Sequence, residues 1–153
     1  MTAGAAALSL ATSWYTQPFI TAGLISGIRP ELFNVRGVDF AAWTLVAFMI
    51  AALAGVLIRR TIPAMAAALA LCTGLFFAAT LWLRPHYQAP LTGGASAVTV
   101  RWWVVGTARA GAGVTYQPDG RFWHFQLIEG CWLVALALLL GAATIWLVRR
   151  RSG

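Results

Sequence analysis

The sequence predicts an all-α integral membrane protein: three transmembrane helices, the N-terminus outside, the C-terminus cytoplasmic, and a partly structured outer loop before the last helix. Three observations predict it. Of 153 residues, 60% are hydrophobic and 10% charged, where a soluble domain is nearer half apolar and a quarter charged. Three apolar stretches, Phe40 to Ile58, Ile62 to Leu83 and Leu127 to Val148, reach the roughly 20 residues that cross a hydrocarbon core about 30 Å thick. Arginines stand at the ends of these runs, Arg59 and Arg60 between the first two and Arg149, Arg150 and Arg151 after the third.

Residues 1–37 form the first outer segment. Its opening, "MTAGAAALSLATSWY", holds an apolar run too short to cross a bilayer and lacks the positive start of a secretory signal. It reads as the outer half of a helix whose inner half is missing, so the chain is expected to be the back part of a longer polypeptide or a natural short form. From Thr16 to Gly37 the stretch turns polar, punctuated by Pro18, Gly23, Gly27, Pro30 and Gly37, and reads as a loop with room for one short helix.

Residues 38–83 form a transmembrane hairpin. Its joint is only Arg59 to Thr61, so both helices turn back at one surface, and Pro63 fits the first turn of the second. Ala51, Ala52, Ala54 and Gly55, with the run Ala64 to Ala68, allow the two helices to approach closely. By the positive-inside rule Arg59, Arg60, Arg149, Arg150 and Arg151 are cytoplasmic topology determinants. Six other arginines, Arg29, Arg36, Arg84, Arg101, Arg109 and Arg121, fall outside on this reading, but they are spread thinly along the outer segments.

Residues 84–126 form an extracellular loop region. "RPHYQAPLTGGASAVTV" opens with two prolines and a Gly-Gly pair, a flexible exit from the membrane, and "AVTVRWWVVGT" has the valine, threonine and tryptophan enrichment of a short strand or interfacial patch. Gly106, Gly111 and Gly113 then break the chain, Pro118, Asp119 and Gly120 make a turn, and Phe122, Trp123 and Phe125 are expected to dock at the membrane surface. Residues 127–153 are the last transmembrane helix and a basic cytoplasmic tail.

Several function classes are disfavoured. The formal charge of +7 comes wholly from arginine at the edges of apolar runs and in loops, with no basic face to track phosphates, so nucleic acid is not an expected partner. No glycine-rich phosphate loop with a following lysine is present, so any ATP energy must come from another subunit. His86 and His124 have no Cys or carboxylate at ligand spacing, so no metal site is expected. Cys72 and Cys131 lie within apolar runs as small hydrophobic residues. No cofactor is called for, and an enzyme is the least favoured class.

Glu129 is the one acid inside any apolar run, in the first turn of the third. The functional reading makes it a polar anchor, bonding to Arg121 or Tyr116 and coupling loop position to helix position. The plainer reading is a glutamate favoured there by the helix dipole alone.

The order "ELFNVRGVDFAAWTLVAFMIAALAGVLIRRTIPAMAAALALC" (Glu31 to Cys72), "RPHY" (Arg84 to Tyr87), "YQPDGRFWHFQLIEGCWLVALALLL" (Tyr116 to Leu140) and "LVRRRSG" (Leu147 to Gly153) resembles the C-terminal half of bacterial ABC transporter permeases of the ABC-2-like type. Its most specific pieces are "RRTIPAMA", "RPHY" and "YQPDGRFWHFQLIE". The chain departs from that family in lacking its first helices and in the Asp39-Phe40 start of its first span. The resemblance implies a permease component in the bacterial plasma membrane, driven by a separate ATP-binding subunit and working as a homo-oligomer or with a companion permease, its spans in contact with membrane lipids. The alternative is a small accessory or regulatory membrane protein without a transport path of its own.

Overall fold

A computed structural model describes residues 2–22, 33–34, 37–94, 102–107 and 113–152. Arg29, Arg36, Arg101 and Arg109, with Gly23, Gly27, Pro30 and Gly111, lie outside the described residues. Among those described, three helices are long and apolar enough to cross a membrane. They are α2 (Asp39–Ile58), α3 (Thr61–Ala78) and α4 (Phe122–Ser152). The chain leaves α3 through a π-helical turn, Ala79–Leu83, and a 3-10 turn, Arg84–His86. A further helix, α1 (Thr2–Thr21), lies against α2.

The hairpin closes as its short joint requires. Arg59 adopts a left-handed conformation, φ 54°, and its N–H closes on the Gly55 carbonyl, while Arg60 is extended. Pro63 is the third residue of α3, within the turn whose N–H groups have no helical partner, so its ring costs no bond. Ala42, Val46, Ile50 and Ala54, spaced four apart along α2, form one stripe against Ala64 and Ala68 of α3 and Leu133 and Ala137 of α4. Small side chains on facing helices bring the backbones together, and in a membrane that contact, not exclusion of water, drives association. The opposite faces carry Ile62, Leu69, Phe77 and Leu138, all exposed, as lipid-facing side chains are.

Two contacts fix the relative direction of α2 and α4. Near one end Gln126 of α4 accepts from the Asp39 backbone N–H of α2 at 3.0 Å. At the other, the Arg151 guanidinium donates to the Val56 carbonyl. The two helices therefore run parallel, α3 runs opposite to both, and Arg59, Arg60 and Arg149 to Arg151 gather at one end of the bundle.

The other end carries a three-stranded antiparallel sheet. It is built from β1 (Leu91–Gly94), β2 (Trp102–Thr107) and β3 (Gly113–Pro118), with β3 central and a bulge between Val104 and Gly106 where β2 pairs with it. The expected strand in "AVTVRWWVVGT" is β2, its first part lying outside the described residues. The expected flexible exit is in part a strand: Leu91 to Gly94 pair with Tyr116 to Gly113. Backbone pairing asks nothing of the glycine side chains, so composition concealed it.

Two helices begin or end away from the expected places. α1 runs on to Thr21 through Pro18, and the Thr12, Thr16 and Thr21 hydroxyls along it bond to carbonyls one turn back. α4 starts at Phe122, five residues before Leu127, with Phe122 and Phe125 packed inward and Trp123 exposed. Glu129 is consequently about two turns inside α4, not in its first turn.

Candidate functional site

Just below the sheet, the three spans meet around a cluster of buried charge. Arg84, Glu129 and Asp39 are all completely inaccessible to solvent. Arg84 comes from the end of the α3 segment, where the π-helical turn and the Pro85-containing 3-10 turn stop the helix and leave its side chain among the spans. Glu129 comes from the second turn of α4 and Asp39 from the first turn of α2.

The geometry is a two-pronged ion pair. Arg84 Nε donates to Glu129 Oε2 at 2.9 Å and Nη2 to Glu129 Oε1 at 2.6 Å. Nη2 also donates to Asn34 Oδ1 at 2.7 Å and lies 3.8 Å from Asp39 Oδ2. The Phe33 ring covers the guanidinium at 4.3 Å, and the Trp43 indole N–H donates to Glu129 Oε1 at 3.0 Å. Planar guanidinium and carboxylate match in this arrangement, which fixes orientation as well as supplying energy. One guanidinium faces two carboxylates, and among the described residues both Asp39 side-chain oxygens and Arg84 Nη1 make no hydrogen bond.

A polar frame surrounds the pair. Gln126 accepts from the Asp39 N–H and donates to the Phe33 carbonyl at 3.2 Å, so a side chain of α4 satisfies one of the unpaired donors that open α2. Gly37 makes room for it: with φ 75°, a Cβ there would lie 2.6 Å from Gln126 Oε1. From α1, the Ser9 hydroxyl donates to the Gly37 carbonyl, and the Gly37 N–H reaches Ser13 Oγ at 3.4 Å. Trp132 donates to the Tyr87 hydroxyl at 2.9 Å, and its ring stands edge-on to Trp43. Burial first, and then the neighbouring Glu129 charge, push the Tyr87 phenol above its ordinary range, which keeps it protonated.

The sheet docks on this frame through Phe33, Phe122 and Phe125, with Tyr87 and Trp103 packed against them. Arg121 donates to the Ala89 carbonyl and to Gln117 Oε1, both at 2.7 Å, and Gln117 donates to the Gln88 carbonyl at 2.8 Å, tying β3 to the chain that leaves α3.

The structure therefore gives Glu129 partners other than those the sequence pointed to. Its described hydrogen bonds come from Arg84 and Trp43, while Arg121 braces the sheet and Tyr116 lies on β3, paired with Leu91 and Val104. In the sequence alone Arg84 is one of the scattered outer arginines and Asp39 only an unusual start to a span. The available signal was that Asp39 and Glu129 stand at the same end of two parallel spans, and that the arginine at the close of the antiparallel one is level with both. Arg59, Arg60, Arg149, Arg150 and Arg151 are together but far from this cluster, exposed at the opposite end. Among the described residues no three of His, Cys, Asp and Glu come together as a metal site, and the His86 ring nitrogen Nδ1 is hydrogen-bonded to the Trp82 carbonyl at 2.6 Å.

This arrangement joins the ends of three spans and the side chains of Phe33 and Asn34 through one charged centre. The Arg84–Glu129 pair ties the end of the α3 segment to α4, while Arg121 and Gln117 tie β3 to the chain that leaves α3. Three packed spans, a sheet over one end and exposed arginines at the other define a multi-pass helical membrane protein. More narrowly, the chain belongs to the ABC-2 membrane transporter related family, whose sequence profile matches residues 1–84. Comparison with curated proteins and with solved structures gave no match.

Proposed function

We propose that this chain is a membrane-spanning permease component of an ABC transporter in the bacterial plasma membrane, with the sheet end outside and the arginine end cytoplasmic. Family membership over residues 1–84 carries the reading, and the three spans agree with it. Energy comes from a separate ATP-binding subunit. Three helices packed through a stripe rich in alanine enclose little volume, so the transport path is shared with a second copy or a companion permease. In this role the Arg84–Glu129 pair holds the outer ends of the spans in register with the sheet.

A pull-down from native membranes in mild detergent, through a C-terminal tag, tests it. The expected outcome is recovery of an ATP-binding protein. Orientation is checked with single cysteines at Thr92 and Ser152 in a Cys72→Ser, Cys131→Ser background: a membrane-impermeant thiol reagent added to whole cells labels the first and not the second.

One observation favours a second reading, an accessory membrane protein. The buried Arg84–Glu129 pair is closed on itself at one end of the spans, and the groove between α2 and α4 is lined chiefly by apolar residues such as Ala41, Leu45, Leu127 and Val134. A tagged chain that emerges with another membrane complex and no ATP-binding protein decides for that role.

A further inference from the structure

At the arginine end, α2 and α3 part to leave a groove of about 480 Å³. Its walls are Ala51 and Gly55 of α2 and Ala64, Met65 and Ala68 of α3. Its mouth is Arg59, Arg60 and Thr61, both arginines exposed. A trough open to the hydrocarbon cannot stay empty, because lining atoms without neighbours forfeit their dispersion contacts. The bilayer supplies the filler, an acyl chain, and whichever lipid enters must set its headgroup against the two arginines.

The charge at the mouth selects among headgroups. No acidic side chain lies between Phe40 and Pro118 in the sequence, and none follows Glu129. Asp39 and Glu129 are held at the opposite end by Arg84. The neighbouring Arg151 already donates to the Val56 carbonyl, and Arg150 lies over the Trp146 ring at 5.2 Å, which leaves the hairpin pair facing the groove. Adjacent guanidiniums are suited to forked bonding to phosphate oxygens, and basic pockets between helices favour anionic lipid.

We propose that this groove is a binding site for an anionic phospholipid, its phosphate held by Arg59 and Arg60 and one acyl chain lying between α2 and α3. The site requires only that the chain spans a membrane and does not depend on the permease reading. It stands about one bilayer away from the Arg84 cluster, so lipid bound there anchors the hairpin turn while the other end is fixed by ion pairing.

The test uses the full chain in mild detergent, offered equal amounts of phosphatidylglycerol and phosphatidylcholine, with retained lipid counted by native mass spectrometry. Phosphatidylglycerol is expected to be retained about tenfold over phosphatidylcholine. Gly55→Leu extends into the groove and leaves both charges in place, its Cβ entering open space with nothing within 4 Å. It is expected to lower phosphatidylglycerol retention by about threefold or more. Arg59→Lys with Arg60→Lys keeps the charge, and hence the topology, but removes the fork, and should lower retention by a similar factor of about three. Equal retention of the two lipids overturns the proposal, as does a phosphatidylglycerol preference that either variant leaves unchanged. Displacement of phosphatidylglycerol by an equal concentration of inorganic phosphate also overturns it, since the acyl chain would then contribute nothing.

Discussion

At the sheet end Arg84 is wholly buried, forked onto Glu129 and covered by Phe33, whereas at the opposite end Arg59, Arg60 and Arg149 to Arg151 are all exposed. The same residue type is used in two physically different ways. A buried guanidinium has surrendered its hydration and depends on its partner, so removing either member leaves an uncompensated charge. An exposed one at a membrane boundary stays hydrated, and its effect is shared with its neighbours. Single substitutions should therefore act strongly at one end and weakly at the other.

The largest expected effect is Arg84→Met, which leaves Glu129 and Asp39 facing each other with no cation between them. Loss of one partner of a buried pair costs about 3 to 5 kcal/mol, read as a fall in thermal stability in detergent by tryptophan fluorescence, to which Trp43 and Trp132 beside the cluster respond. Joining Glu129→Leu to Arg84→Met should recover much of that loss. A double variant as unstable as the sum of the singles would mean the pair is not coupled. Glu129→Gln leaves the span apolar enough to insert, yet on the permease reading it lowers transport; unchanged transport would reject the coupling role.

Next comes Gly37→Ala. The residue has φ 75°, and the added Cβ would sit 2.6 Å from Gln126 Oε1, so the substitution meets both backbone strain and a side chain that is already bonded on two sides. About 2 kcal/mol of destabilisation is expected. Gln126→Ala in the same chain relieves the clash but leaves the Asp39 N–H and the Phe33 carbonyl without that partner, so rescue should be partial. Full rescue would show that Gln126 contributes little to holding α2 and α4 together. Smaller again is Trp132→Phe, which loses the hydrogen bond to Tyr87 and should cost about 1 kcal/mol; combining it with Tyr87→Phe should add little if that bond is what both singles remove.

The two ends also differed in how much the sequence revealed. Spans and hairpin turn were legible because each depends on a contiguous run: about twenty apolar residues, or two arginines and a proline between two such runs. Glu129 was legible as a charge in an apolar stretch. Its partner was not, since Arg84 lies 45 positions away, and an ion pair between segments leaves no periodicity in either. Asp39 was hidden for the same reason: only the parallel course of α2 and α4 sets it beside Glu129. β2 announced itself through valine and tryptophan, whereas β1, Leu-Thr-Gly-Gly, pairs by its backbone and carries almost no compositional sign of it. Local physics was therefore readable throughout, and what stayed hidden was contact between distant segments, which is what makes the site.

Among the described residues two have positive φ, Gly37 at the sheet end and Arg59 at the arginine end. At Gly37 the backbone dictates the residue. At Arg59 the helix closes in the left-handed conformation that glycine adopts most easily, yet the sequence keeps an arginine, tolerating roughly 1 kcal/mol of local strain to hold charge at the turn. Arg59→Gly and Arg59→Ala both remove that charge and differ only in backbone freedom, so comparing the two isolates the strain. The glycine variant should be the more stable by about 0.5 to 1 kcal/mol in thermal unfolding, and it should insert in the same orientation because Arg60 and the arginines after α4 still mark that side. Equal stability of the two variants would mean that the turn relaxes out of the left-handed region once the arginine is gone. In that case Arg59 holds the turn by its own contacts, and the arginine end is less different from the buried end than its exposure implies.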